Sequence, residues 1–198
     1  MRIVGGTLRG LKLAEIGAGD PAAHLRPTTD RVRESIFNLL INGTHGNPIP
    51  GARVLDLFAG TGALGLEALS RGAARVAFVD DGVAARGLLR MNIEKARAMG
   101  VTDVWRRDAT SLGENRGAPY GLVFLDPPYG KGLGERALES ALAGGWIAPG
   151  GMVVWEESAP PGPVARLERI DQRKYGDTFV TLLRAGHDQV ARSSFVDR

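Results

Sequence analysis

From Arg53 onward the chain alternates short apolar runs with amphipathic stretches, and this alternation is its strongest structural signal. The runs at 53–57, 75–80, 102–106, 122–125 and 151–156 are rich in Val, Leu and Phe and too short for helices. Continuous apolar strands are what a parallel sheet covered on both faces requires. Between them, 62–71 and 83–99 repeat apolar positions at helical spacing and end at Gly72 and Gly100, and a further helix is expected around 134–143. The rhythm predicts a single open α/β sheet. It changes near the end, where 164–174 and 177–183 read as two strands joined by the turn Tyr175-Gly176-Asp177, so the sheet is expected to finish with an antiparallel hairpin.

The first fifty residues follow a different pattern. Residues 1–13 read as a short hairpin or paired strand that bends at Gly5-Gly6 and Gly10, with Ile3, Val4, Leu8, Leu11 and Leu13 supplying apolar contacts. A Gly/Pro/Ala-rich stretch at 17–27 leads to Thr28-Thr29-Asp30, an N-cap cluster ahead of a helix whose Val32, Ile36, Leu39 and Leu40 share a face. A loop at 43–51 with Pro48 and Pro50 then opens the main domain. The expected division is an extension over 1–50, a main domain over 51–185 and a polar tail over 186–198.

The first strand runs into Asp56-Leu-Phe-Ala-Gly-Thr-Gly-Ala-Leu-Gly65, a strand that turns through glycines into a helix. Gly60, Gly62 and Gly65 match the spacing that lets a βαβ unit turn tightly, approach a ligand and pack helix on strand, which taken alone is weak evidence. Asp56 sharpens it. A dinucleotide would bring a pyrophosphate to this helix N-terminus, and an adjacent carboxylate would repel it. A ligand carrying an ammonium and a sulfonium, S-adenosylmethionine, suits the same turn better. Asp80 ends the second strand, where a carboxylate can accept both ribose hydroxyls, with Asp81 as a spare. Asp108 and Ala109 follow the third, where a carboxylate and a backbone amide can read the amino group and ring nitrogen of adenine. Phe58, inside the turn, is counted with the cofactor positions.

Asp126-Pro127-Pro128-Tyr129 follows the fourth strand, at the mouth of the same crevice. An exocyclic amine on an aromatic base is a poor nucleophile, because its lone pair is conjugated, and it needs acceptors that orient it as nitrogen becomes tetrahedral. The Asp126 carboxylate and the Pro127 carbonyl can be those acceptors, prolines stiffen the loop, and Tyr129 offers a face for a base taken out of its stack. Methyl transfer needs no metal and no nucleophilic side chain. Adenine N6, a protein glutamine, a non-catalytic RNA-binding module and a nicotinamide enzyme remain as alternatives.

Composition changes this picture only slightly. There is no cysteine, and His24, His45 and His187 fall in no metal-ligand motif, so no metal is expected. No signal peptide or membrane-spanning run is apparent, which makes a cytoplasmic location the default. The net charge of +3 and an acid-free opening carrying Arg2, Arg9 and Lys12 permit an anionic partner.

These motifs resemble those of the RsmD family, bacterial methyltransferases of a guanine N2 amine in 16S ribosomal RNA. The resemblance spans Arg2 to Leu13, Arg26-Pro-Thr-Thr-Asp-Arg-Val-Arg-Glu-Ser-Ile-Phe-Asn38, the Asp56 turn, Asp126 to Tyr129 and Tyr175-Gly-Asp-Thr178; the second segment discriminates best. It implies a class I S-adenosylmethionine-dependent methyltransferase, Rossmann-like, with a seven-stranded, mostly parallel sheet and an antiparallel last strand, plus the small N-terminal hairpin and helix. It implies methylation of guanine 966 on the 30S subunit, cofactor contact at Asp56, Gly60, Gly62, Asp80 and Asp108, and base contact at Asp126 to Tyr129. It further suggests RNA contact by Arg2, Arg9, Lys12, Arg26, Arg31 and Arg33, while Thr28 closes over the cofactor. Many relatives carry glutamate where Asp80 stands, so the ribose contact is expected to shift to water or to Asp81.

Overall fold

The structure, a computed structural model, describes residues 1–15 and 29–187. Strands β1 (Arg53–Leu57), β2 (Arg75–Val79), β3 (Thr102–Trp105), β4 (Tyr120–Leu125), β5 (Ile147–Glu157), β6 (Leu167–Tyr175) and β7 (Thr178–Ala185) form one sheet in the order β3-β2-β1-β4-β5-β7-β6. β1 to β5 run parallel, while β7 lies antiparallel between β5 and β6. The expected closing hairpin is therefore present, with its second strand on the inside. β6, left at the edge, carries Glu168, Arg169, Asp171, Arg173 and Lys174, charges that discourage further strand pairing.

Strand side chains alternate between two cores. Val54, Val76, Phe78, Leu122, Phe124 and Val154 face helices α1 (Asp30–Asn42), α2 (Ala63–Ser70) and α3 (Val83–Lys95). Leu55, Leu57, Val79, Val123, Leu125 and Trp155 face α4 (Leu133–Ala143) and Trp146. Thr29 caps α1 by accepting from the Val32 amide at 3.3 Å. Burying branched side chains on both faces removes enough apolar area to hold the sheet, at about 25 cal/mol per Å².

α3 is shorter than its pattern predicts, ending at Lys95 instead of running to Gly100. The Ala98 amide donates to Ile93 O and the Arg97 amide to Glu94 O, a paired C-terminal cap in which Arg97 takes the left-handed conformation, φ +53°. Met99–Val101 then forms a separate 3₁₀ turn.

The amino terminus is a paired segment, as expected. Arg2 and Lys12 bridge antiparallel, and Ile3 and Gly10–Leu11 exchange backbone hydrogen bonds at 2.8–2.9 Å. Ile3 and Leu13 enter the same core as Ile36, Phe37 and Leu40 of α1. The anchor is Glu67 in the middle of α2, fully buried, whose two carboxylate oxygens accept the Val4 and Gly5 amides at 2.8 Å each. Arg71 and Arg33 neutralise it, Arg71 Nε at 2.8 Å and Arg33 Nε at 3.6 Å. One turn on, the Ser70 hydroxyl accepts the Leu8 amide at 2.9 Å.

Candidate active site

Pairing registers put the strand ends in a line. Trp105, Val79, Leu57, Leu125 and Trp155 are aligned across β3, β2, β1, β4 and β5. Asp80, Phe58, Asp126 and Glu156 each stand one residue beyond this row, on the carboxyl edge of the sheet. β1 and β4 are the neighbours between which the strand order reverses, the place where open α/β sheets bind ligands. With strands about 4.8 Å apart, Asp80 and Asp126 flank β1 at a separation on the order of 10 Å.

Asp56 lies one step below that edge, 2 % exposed, and its Oδ2 accepts the Gly65 amide at 2.9 Å. Burial pushes its carboxyl up to about 8; the Gly65 hydrogen bond opposes this and the nearby Asp80 charge adds to it. The turn above it is built of backbone that L side chains avoid: Phe58 has φ +58° and Gly62, which opens α2, φ +80°. A Cβ at Gly62 would collide with Leu89, and one at Gly65 with Phe78 and Val76, so α2 sits against β2 at glycine distance.

Asp80 is tied into the same turn. Its Oδ2 accepts the Gly60 amide and its Oδ1 the Gly82 amide, both at 2.8 Å, and burial raises its carboxyl above the ordinary range. Each oxygen keeps a further lone pair for a ligand hydroxyl. Asp108 caps a 3₁₀ turn over Ala109–Ser111, its Oδ1 accepting the Thr110 hydroxyl at 2.7 Å and amide at 2.8 Å; the hydroxyl bond is the larger cause holding this exposed carboxyl below its usual value. Ala109 is buried beside it.

In the loop after β4, Asp126 is half-buried, Pro127 buried and Pro128 exposed. Tyr129 is half-buried, and its hydroxyl donates to Glu156 Oε1 at 3.1 Å. Burial first, and then the Glu156 charge, push the phenol above its ordinary value.

The basic residues separate. Arg2, Arg9, Lys12 and Arg31 are exposed, and a cavity of about 180 Å³ lined by Arg2, Arg9 and Glu34 lies between hairpin and α1. Arg33 corrects the sequence reading: it is fully buried, pairs with Asp30 at 2.7 Å and Glu67, and donates to Arg2 O, so it is spent on holding the hairpin to the domain and offers no surface to RNA. Arg26 and Thr28 lie outside the described residues, as do 188–198 of the expected tail. Among the described residues, no cluster of His, Asp and Glu could hold a metal, and no helix is long and apolar enough to cross a membrane.

Three residues that hold the site's surroundings together escaped the sequence reading. Asn92 of α3, fully buried, donates to Thr61 O in the glycine turn at 2.9 Å and to Ala14 O at 3.0 Å, and accepts the Ala14 amide at 2.7 Å, so it ties the hairpin's exit to that turn. Glu67 and Glu156 are the others. Glu67 is a lone polar residue within the apolar run of α2, a signal that a stricter reading of periodicity would have found, whereas Asn92 and Glu156 stand near other polar residues and carry none.

The family model described as conserved hypothetical protein 95 matches residues 1–184. Ribosomal RNA small subunit methyltransferase D of Escherichia coli (strain K12) is 39% identical over 162 residues, which cover 82% of this chain and 77% of that one. The chain belongs to the RsmD family. A further RsmD relative, Ribosomal RNA small subunit methyltransferase D of Haemophilus influenzae, is 33% identical over 159 residues, 79% of this chain and 78% of its own. The solved structure of Escherichia coli yhhF superposes with a TM-score of 0.78 at 36% identity, covering 94% of this chain and 98% of that one. The RsmD chain described here thus has the class I S-adenosylmethionine-dependent methyltransferase fold.

Proposed function

We propose that this protein methylates the exocyclic N2 amine of a guanine in 16S ribosomal RNA, with S-adenosylmethionine as donor and the small ribosomal subunit as the surface that presents the base. The observation that carries the reading is the carboxyl edge itself: a buried Asp56 and a turn-bound Asp80 on one side of the switch point, and the Asp126-Pro-Pro-Tyr129 loop one strand away on the other.

The residues fit the donor. Asp56 is a carboxyl that burial holds protonated in its surroundings of backbone and apolar side chains, and an arriving ammonium would restore its charge. Asp80 and the Phe58–Gly62 turn would hold the ribose and the body of the cofactor, and Asp108 with Ala109 the adenine. When bound, the cofactor supplies a methyl group already activated on a sulfonium. What remains for the chain is orientation. Asp126 and the Pro127 carbonyl accept the two N–H bonds of the amine, turn its lone pair toward the methyl, and give the departing proton a first acceptor. The Tyr129 ring supports the base, and Pro127 and Pro128 limit how far the loop can yield.

Arg2, Arg9, Lys12 and Arg31 support the RNA reading, being exposed cations on one extension, although Asp30 pairs with Arg2 at 3.7 Å and Glu34 stands beside Arg2 and Arg9. Neutralising any one should weaken RNA binding and lower its salt dependence. Nucleoside mass spectrometry of 16S ribosomal RNA from cells lacking the gene tests the assignment. Loss of an N2-methylguanosine, restored by the wild-type gene and not by Asp126→Ala, is expected; an unchanged nucleoside profile, or loss of N6-methyladenosine instead, would reject it.

A further inference from the structure

Tyr129 belongs to an exposed loop, yet its hydroxyl is held by the sheet. Oη donates to Glu156 Oε1 at 3.1 Å and lies 3.5 Å from Thr178 Oγ1. Glu156 is near the end of β5, 3 % exposed, and Thr178 opens β7. A second tie joins the same elements, from the Gly130 amide to Glu157 Oε1 at 3.3 Å. The loop following β4 is thereby fastened to two neighbouring strands at its aromatic end.

A tyrosine on a loop has two side-chain torsions free, and a ring that must present one face to a base loses rate for every orientation in which it does not. Fixing the hydroxyl fixes where the ring stands and which way its long axis points, because Oη lies on that axis. A carboxylate oxygen is a strong acceptor for a phenol hydroxyl. The phenol in turn stays a donor at working pH, since burial and the Glu156 charge both oppose its ionisation. Glu156 is too enclosed to meet a base directly, and Thr178 belongs to Tyr175-Gly-Asp-Thr178, a motif with no role in the chemistry described so far.

We propose that Glu156, assisted by Thr178, is a positioning residue that sets the position of the Tyr129 ring and the direction of its long axis against the target base. The proposal rests on the reading of Tyr129 as the base platform. The effect assigned to Glu156 passes through the phenol hydroxyl, so that part of its contribution vanishes when the hydroxyl is absent.

The test uses the full chain with Tyr129→Phe, Glu156→Gln, Glu156→Ala, and Glu156→Ala in the Tyr129→Phe background. Single-turnover methyl transfer to small ribosomal subunits is measured beside cofactor affinity by calorimetry. NMR of protein labelled at the tyrosine Cζ, with three tyrosines in all, reports the ring directly. Tyr129→Phe and Glu156→Ala should each slow transfer about tenfold, the loss of one oriented hydrogen bond. The double variant should fall no further, Glu156→Gln should recover most of the rate because its amide oxygen still accepts, and cofactor affinity should stay within about twofold in all four. The Tyr129 resonance should be single in the wild type and broadened or split in Glu156→Ala. A further tenfold loss on adding Glu156→Ala to Tyr129→Phe, or a Glu156→Gln variant as slow as Glu156→Ala, would overturn the proposal by making Glu156 a direct contact of the substrate. An unchanged Tyr129 resonance in Glu156→Ala would overturn it too. Should the wild type transfer no methyl to guanine, the proposed function fails, and the resonance still decides whether Glu156 holds the ring.

Discussion

At neutral pH the Asp56 carboxyl of the ligand-free protein is largely protonated, because burial places its titration near pH 8. A cation bound beside it must therefore displace a proton. Affinity for S-adenosylmethionine should rise between about pH 6 and 7, approaching tenfold per pH unit, with close to one proton released. Calorimetry in two buffers of different ionisation enthalpy measures that proton. The same group makes the free protein less stable as pH rises: its folded-state titration lies above the unfolded value of 3.8, so the folded state binds more protons between about pH 4 and 8 and stability falls across that window. Asp56→Asn keeps an acceptor for the Gly65 amide and should flatten this decline, raising the ligand-free Tm at pH 8 by several degrees while abolishing cofactor binding. Asp126→Ala should do the reverse, leaving cofactor affinity within about twofold and lowering transfer by at least about a hundredfold, read by single-turnover rates.

The hairpin, α1 and α2 form one unit around Glu67. Glu67→Ala leaves the Val4 and Gly5 amides without acceptors, removes the carboxylate that Arg71 pairs with and leaves buried Arg33 only Asp30 for a counter-charge, and breaking such a network costs about 3–5 kcal/mol. Chemical denaturation should read that loss, and hydrogen exchange should show residues 3–8 deprotected ahead of the sheet; uniform protection would mean that the hairpin is held by Ile3 and Leu13 alone. Helix ends show what a sequence can and cannot disclose. α2 and α3 finish with the same paired cap, the left-handed position being Gly72 (φ +103°) in one and Arg97 in the other. Gly72 was legible because glycine is the residue that position favours, whereas Arg97 carries no such mark and the helix was read too long. Arg97→Gly should stabilise the protein by up to about 1 kcal/mol, measurable as a rise in Tm of a few degrees. The placement of Asp80 and Asp126 at strand ends was likewise legible, since each follows directly on an apolar run that forms a strand. Asn92 and Glu156 were not, because Asn92 meets Thr61 and Ala14, and Glu156 meets Tyr129, across at least 27 residues of chain. Glu67 stood out as a polar residue in an apolar helix, but the Val4 and Gly5 amides it holds lie more than 60 residues away.

Across the whole molecule, the parallel half of the sheet presents a line of carboxylates and a proline loop at one edge, while the antiparallel end, β7 and β6, braces that loop through Thr178 and leaves a charged margin outside. The basic hairpin runs along α2, its exit tied by Asn92 to the glycine turn and its bend near Ser70, toward the opposite end of the helix. Arg2 and Lys12 thus lie nearer the glycine turn than the bend does. Apolar periodicity was enough to foresee this architecture because both faces of every central strand are covered. The side chains meeting across it depend on register, which only the folded chain reveals. The central claim is that a donor held on the Asp56–Asp80 side delivers methyl to an amine held at Asp126. Incubating the protein with small ribosomal subunits purified from cells lacking the gene and isotope-labelled S-adenosylmethionine, then digesting the 16S RNA to nucleosides, tests it most directly. The label should appear in N2-methylguanosine and nowhere else; label in N6-methyladenosine, in ribosomal protein, or in no product at all would contradict the account.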